Sequence, residues 1–311
     1  MSARFLTVVL ERAFNMRDGF GREIDYMRIS VIDSCNLNCY YCNPCDNNEH
    51  CHALNILSVK EVLCIVRAAT RLGIKHFRLT GGEPLLHPQL DEMVLQIKKI
   101  PGVSSVSLTT NAVLLAQHAK WLKEAGIDSI NVSLDTIDAS EYERITKKPL
   151  LEEVKHGINA AIECGIRVKI NVVLTPQTDV VALTRYASKK GTDIRFIEMM
   201  PVGEGHTNGV EPYKKVIGTL SKLYGEPCRI NTEKTKEINS GNDKRKIPDN
   251  GPAEYYIFPE LGIRVGLIQA IHGKFCDTCN RIRVTADGRL MPCLGSSVTM
   301  DLVPDSWDFA D

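Results

Sequence analysis

The sequence predicts an α/β fold, an open six-unit barrel of the (β/α)6 kind, a partial TIM barrel, carrying a small C-terminal extension. Three observations carry this reading. From residue 24 to about 200, short apolar runs alternate with amphipathic helical stretches, the pattern of repeated βα units around a parallel sheet. Glycines stand just past the helical stretches, where a left-handed residue closes a helix. The 311 residues exceed the ~250 that suffice for a barrel-type domain and leave room for an appendage.

In chain order, the strands are expected at 24–32, 75–80, 103–110, 129–135, 167–174 and 193–200. Helix starts are marked by Ser58 with Glu61 and Asp138 with Glu141, both at capping-box spacing. Stops are marked by Gly73, Gly126, Gly165 and Gly191. Right-handed crossovers place every strand C-terminus on one rim, so polar residues at those ends are candidates for a shared site. Residues 1–15 read as a leader-like extension and 16–202 as the barrel. Residues 203–252 read as a connecting segment whose later part, 232–252, is a solvated loop rich in Gly, Asn, Pro and Lys. Residues 253–311 form the C-terminal extension, with its own cysteines.

Lys+Arg 38 against Asp+Glu 38 gives no bulk charge with which to hold nucleic acid or an acidic membrane. The longest early apolar run, "FLTVVL", is neither a signal peptide nor a span, so no membrane partner and a cytoplasmic location are expected. There the eleven cysteines point to metal or redox chemistry rather than disulfides. Cys35, Cys39, Cys42, Cys45 and Cys51 crowd one loop and Cys276, Cys279 and Cys293 another. Cys64, Cys164 and Cys228 stand alone, read as small buried or partly buried hydrophobes.

"DSCNLNCYYCNP" places Cys35, Cys39 and Cys42 directly after the first strand. Thiolates suit zinc and iron-sulfur clusters. A structural zinc site needs a fourth ligand, which Cys45, His50, Cys51 or His52 could supply. A catalytic [4Fe–4S] cluster instead leaves one iron open, and only that reading explains why the cysteines sit on the rim. The next strand ends in "RLTGGEP", where Gly81 and Gly82 allow close backbone approach and Glu83 offers a carboxylate to an amine. The third ends in "TTN" and the fourth in "NVSLD".

Together these stretches resemble the radical S-adenosylmethionine (SAM) enzymes. The resemblance implies that Cys35, Cys39 and Cys42 hold three irons of a [4Fe–4S] cluster while SAM chelates the fourth. It implies that an electron from the cluster cleaves SAM to a 5′-deoxyadenosyl radical that takes a hydrogen from substrate. Gly81, Gly82 and Glu83 would meet the SAM amine, Ser133 and Thr110 its ribose or carboxylate, with Tyr41 and Asn111 completing the cofactor site.

In "FCDTCNRIRVTADGRLMPCL", Cys276, Cys279 and Cys293 form a second triplet. A zinc knuckle closed by His272 is one reading. Arg281 and Arg283 favour another, because alternate residues of an extended segment point the same way and two guanidiniums beside an open metal site suit an anionic substrate. Over residues 16 to about 303 the chain is similar to the GTP 3′,8-cyclases of molybdenum-cofactor biosynthesis. The stretches that carry this include "MRDGFGREIDYMRISV", "AGIDSINVSLD" and "IRFIEMMPVGEG".

That resemblance implies two [4Fe–4S] clusters, the second on Cys276, Cys279 and Cys293 with an open iron for the guanine. It implies SAM, GTP as substrate, and Arg28, Arg78, Lys169, Arg195, Arg281 and Arg283 along the nucleotide. It further implies a low-potential electron donor, a downstream cyclic pyranopterin monophosphate synthase and, as the family often pairs, a homodimer. Three departures stand out. His76 replaces the family's lysine, Asn43 its methionine, and the chain follows "CLGSSVTMDL" with "VPDSWDFAD" where the family runs on to a Gly-Gly tail. They keep open a related radical SAM enzyme acting on another nucleotide or a peptide, and a non-catalytic relative.

Overall fold

The computed structural model describes residues 17–42, 55–200, 212–230, 251–296 and 298–302. The six expected strands form as β1 (Tyr26–Ser30), β2 (His76–Thr80), β3 (Ser105–Thr110), β4 (Ser129–Ser133), β5 (Val168–Val173) and β6 (Asp193–Ile197). Between them lie α1 (Val59–Arg71), α2 (Leu90–Lys98), α3 (Leu115–Glu124), α4 (Ala139–Thr146), α5 (Leu151–Glu163) and α6 (Val180–Lys189). Ser58 and Glu61 cap α1 reciprocally. Asp138 caps α4 from one side only, its carboxylate accepting from the Glu141 N–H at 2.8 Å while Glu141 pairs with Arg144. Gly73, Gly126, Gly165 and Gly191 all have positive φ, as the helix ends require.

The extension does more than append itself. Helix α7 (Pro212–Tyr224) precedes β7 (Cys228–Ile230), β8 (Glu254–Ile257), β9 (Arg264–Ile268), β10 (Arg281–Val284), β11 (Arg289–Met291) and β12 (Met300–Asp301). The strands make one sheet in the order β12-β11-β10-β1-β2-β3-β4-β5-β6-β9-β8-β7. β10 pairs parallel with β1 and β9 parallel with β6, so the chain extends the six-strand sheet at both ends with strands of the same direction. The outer pairs are antiparallel. Cys64 and Cys164 are partly buried, whereas Cys228 is exposed on the edge strand β7, correcting its reading as a buried hydrophobe.

Successive strand residues point to opposite faces, and the two faces differ chemically. Met27, Ile29, Phe77, Leu79, Val106, Leu108, Ile130, Val132, Ile170, Ile194, Phe196, Val265 and Leu267 belong to one apolar core with the helices. The alternate residues are Tyr26, Arg28, His76, Arg78, Ser107, Thr109, Asn131, Ser133, Lys169, Asn171, Asp193, Arg195, Arg264, Arg281 and Arg283. A sheet whose inner face had to pack side chains against each other would carry branched apolar residues there. This one carries hydroxyls, amides and guanidiniums.

Candidate active site

The first cysteine loop leaves β1 on the rim and is pinned from several sides. Asn38 and Tyr40 donate backbone N–H groups to Thr146 and Ile145 at the end of α4, at 3.0 and 3.1 Å. The Tyr41 hydroxyl donates to Asp135 Oδ2, and the other carboxylate oxygen accepts from the Val173 N–H at 2.7 Å. Burial pushes the Asp135 carboxyl up to about 6. The same burial, reinforced by Asp135, holds the Tyr41 phenol well above its ordinary value.

Gly81 and Gly82 have a local reason to be glycine. A Cβ on Gly81 would collide with the Ile32 carbonyl oxygen, and one on Gly82 with the carbonyl oxygens of Ser34 and Asp33. The two rim loops thus touch backbone to backbone, with Gly82 N–H donating to Ile32 O and Glu83 N–H to Ser34 O, both at 2.8 Å. Glu83 is fully buried. Its carboxylate accepts from Thr110 Oγ1 at 2.6 Å, Asn111 N–H at 2.7 Å and Leu85 N–H at 3.0 Å, so it joins the β2 and β3 rim loops. Burial outweighs these donors and raises its pKa to about 6.

The donor set suits a thiolate-bound cluster. Cys35 Sγ accepts from the Leu37 N–H at 3.4 Å and from Asn111 Nδ2 at 3.8 Å, and N–H···S contacts of this kind tune cluster sulfurs. Burial, then the charges of Asp135, Cys42 and Cys35, pushes the Cys39 thiol up to about 12. Three crowded thiols stay protonated until a cation compensates them. Among the described residues no three His, Cys, Asp or Glu side chains converge as ligands of a single ion. Cys45, Cys51, His50 and His52 lie outside the described residues.

The polar face gathers the expected cations. Cross-strand register sets Arg283, Arg28, Arg78 and Ser107 in one row, Thr109, Asn131 and Lys169 in another, and Ser133, Asn171 and Arg195 in a third. Arg78, Lys169 and Arg195 are buried. Arg28 has a buried Nε without a hydrogen-bond partner, and burial with the charge of Arg283 pushes its pKa down to about 9. Burial likewise depresses Arg281 and Arg283, the latter helped by Arg281. Guanidiniums that depress one another in a buried site call for an anion.

Two tyrosines hold these cations, and sequence reasoning missed both. Tyr26 accepts from Arg78 Nε, and its ring carries Arg78 at 5.9 Å and Arg281 at 5.6 Å. Burial alone would raise the Tyr26 phenol, yet Arg78 and Arg28 pull it below its ordinary value. Tyr255 on β8 accepts from Arg195 Nε at 2.5 Å, with Arg195 and Arg264 over its ring at 5.6 and 5.4 Å. Arg264 also pairs with the buried Asp193. The available signal was alternation: each tyrosine shares the strand face of the arginines. His76 stacks on Tyr26 with centroids 6.4 Å apart, and its Nδ1 meets Ser105 Oγ at 2.8 Å. Burial lowers its pKa, leaving it a weak cation.

The second triplet begins in the short turn Cys276–Thr278, and Cys276 and Cys293 are exposed with Cys279 partly so. His272 turns its Nδ1 onto Glu198, a pairing not foreseen in the sequence. Glu198, at the end of β6, also accepts from the Ile271 and His272 N–H groups at 2.7 and 3.1 Å. Burial would raise this carboxyl, but the hydrogen bond from His272 holds it below its ordinary value.

Comparison with known proteins agrees with this geometry. Residues 29–184 match the radical SAM superfamily and 192–305 match Molybdenum Cofactor Synthesis C. A GTP 3′,8-cyclase of Clostridium perfringens SM101 is 38% identical over 282 residues, 90% of this chain and 83% of the relative. One from Pelotomaculum thermopropionicum is 38% identical over 294 residues, covering 92% and 86%. In structure, the chain is similar to Streptococcus suis SuiB bound to S-adenosylmethionine, at TM-score 0.65 and 14% identity, over 89% of this chain and 63% of that one. It is also similar to anSMEcpe with bound AdoMet, at TM-score 0.59 and 17% identity, over 88% and 75%. Those two likenesses bear out the partial-barrel fold.

Proposed function

The chain belongs to the GTP 3′,8-cyclase family of the radical SAM superfamily, and from that premise we propose that its polar sheet face is the nucleotide site and its two cysteine loops the cluster sites. The reaction is the cyclisation of GTP to (8S)-3′,8-cyclo-7,8-dihydroguanosine 5′-triphosphate in molybdenum cofactor biosynthesis. The enzyme uses SAM and [4Fe–4S] clusters. When bound, these groups supply the abstraction of the ribose C3′ hydrogen, after which C3′ bonds to purine C8.

The residues divide that task. Cys35, Cys39 and Cys42 hold the first cluster, and Cys276, Cys279 and Cys293 the second. Tyr41, Gly81, Gly82, Glu83, Thr110, Asn111 and Ser133 shape the SAM site, the glycines and Glu83 by locking the rim loops at their closest approach. Arg28, Arg78, Lys169, Arg195, Arg281 and Arg283 hold the GTP phosphates and exclude bulk water from the polar face. Charge-assisted hydrogen bonds contribute roughly 1.5–3 kcal/mol each, so several converging cations hold a triphosphate firmly. The observation that carries the reading is the half-buried Arg28, whose buried Nε has no hydrogen-bond partner and stands among cations that depress it. A low-potential electron donor, a downstream cyclic pyranopterin monophosphate synthase and a homodimeric state complete the proposal. Among the described residues, no helix is long and apolar enough to cross a membrane.

The test is an anaerobic assay of iron-reconstituted protein with reductant, SAM and GTP. Wild type is expected to form 5′-deoxyadenosine and cyclised nucleotide together. Arg28→Gln is expected to raise KM for GTP at least tenfold with iron content unchanged. GTP-independent 5′-deoxyadenosine formation with no cyclised nucleotide would instead favour the related-enzyme reading, to which the weak cation His76 points.

A further inference from the structure

Residues 17–26 form a turn and strand start that the reading above leaves largely unused. Arg17 and Glu23 face each other across an antiparallel bridge. Asp18 closes the tip by accepting from the Phe20 and Arg22 N–H groups, each at 3.0 Å. Its carboxylate also takes the Arg22 guanidinium, through Nε at 2.6 Å and Nη2 at 2.5 Å. With two nitrogens committed, Nη1 donates to the carbonyl of Cys276 at 2.7 Å, across 254 positions of sequence. The far end of the same cysteine loop is tied to the same segment. Asn280 Nδ2 donates to Asp25 Oδ1 at 2.5 Å, and the Tyr26 N–H donates to Asn280 O at 3.2 Å.

The loop needs such ties. The turn Cys276–Thr278 buries no residue and has no side-chain cap, so apolar packing does not set its geometry, and segments of that kind open at little cost.

We propose that Arg22 is a positioning residue for the second cysteine group, and that the turn around it clamps Cys276–Asn280 in the geometry that accepts a cluster. This rests on the reading of Cys276, Cys279 and Cys293 as cluster ligands. The test compares wild type, Arg22→Gln, Arg22→Lys and Cys276→Ser, measuring iron and sulfide per chain and following a redox titration by electron paramagnetic resonance. Two clusters give about eight irons. Arg22→Gln is expected either to fall to about four, as Cys276→Ser does, or to keep the second cluster with a shifted midpoint potential. Arg22→Lys, which can keep the Asp18 pair but lacks the planar fork that also reaches the Cys276 carbonyl, is expected to restore only part of the loss, whereas full restoration would mean that the Asp18 pair alone suffices. Full iron and an unshifted titration in Arg22→Gln would overturn the proposal. A wild-type protein holding only about four irons would overturn the two-cluster reading instead, and the control tells the two apart. Should Arg22→Gln not fold, Asp25→Ala removes the side-chain tie at Asn280, leaves the Asp18–Arg22 pair intact and carries the same expectation.

Discussion

Both cysteine loops stand beside the polar face, yet they are anchored by different physics. The loop at 35–42 hangs from Asp135 and Glu83, carboxyls with almost no exposure whose pKa values are pushed to about 6. The loop at 276–280 is tied through Arg22 and Asp25, and beside it His272 rests on Glu198, with the Arg22 and His272 side chains 21% and 37% exposed. Buried anchors fix geometry closely but cost free energy to ionise. Anchors open to water are screened, and single pairs of that kind contribute little. The same three-thiol chemistry is therefore expected to tolerate change very differently at its two sites.

The largest effect belongs to the first loop. Gly82→Ala sets a methyl against two backbone carbonyls that cannot swing away, and overpacking of this sort costs about 3 kcal/mol. Guanidinium denaturation is expected to show that loss, together with about four irons fewer per chain. An unchanged iron content would mean that the rim loops separate freely.

Next comes pH dependence, confined to the buried anchors. Glu83 and Asp135 sit at about 6 in the folded chain against ordinary values of 4.5 and 3.8, so the folded state takes up protons first as pH falls. Stability before iron loading is then expected to decrease as pH rises from about 4 to about 6, by roughly 3–4 kcal/mol for the two groups together, and to level off above. Denaturation midpoints across that range check the sign, and Glu83→Gln with Asp135→Asn should flatten the curve. A slope that survives both substitutions would place its source elsewhere.

Asp135→Ala sharpens the comparison at a smaller scale. It orphans the Val173 N–H and the Tyr41 hydroxyl but also relieves a desolvated carboxyl, for a net cost of about 1.5 kcal/mol. First-cluster iron should fall while the second cluster's resonance stays. Glu198→Gln, on the second side, leaves one oxygen to accept from the three donors of a buried carboxylate and is expected to cost about 1 kcal/mol, read as a small shift in thermal midpoint with iron content near wild type. A larger loss there than at Asp135 would reverse the ranking of the two anchors.

Much of this was legible along the chain. Strand after strand, apolar periodicity and glycine stops placed β1 to β6 within a few residues, because both signals arise from contacts within a turn or a pleat. Cysteine spacing marked both candidate cluster loops, and strand-end positions brought Gly81, Glu83, Thr110 and Ser133 to one rim. Alternation beside the second cysteine triplet pointed to Arg281 and Arg283 as candidate anion partners, whereas Arg28 came only from the family resemblance.

Other features depend on partners that lie far apart in the chain. That β10 lies beside β1 and β9 beside β6 is a matter of sheet order, on which local periodicity is silent. Glu83 reads as a free carboxylate until the β3 loop is folded over it. Tyr26 and Tyr255 look like ordinary strand aromatics until the arginines of neighbouring strands are stacked on them. The sequence by itself determined the repeated units and the cysteine triplets with their spacing, since these rest on short-range hydrogen bonding and on side-chain chemistry. Only the tertiary structure decided which groups are desolvated and which are paired across some 254 residues, because burial and long-range contact exist only once the sheet has assembled.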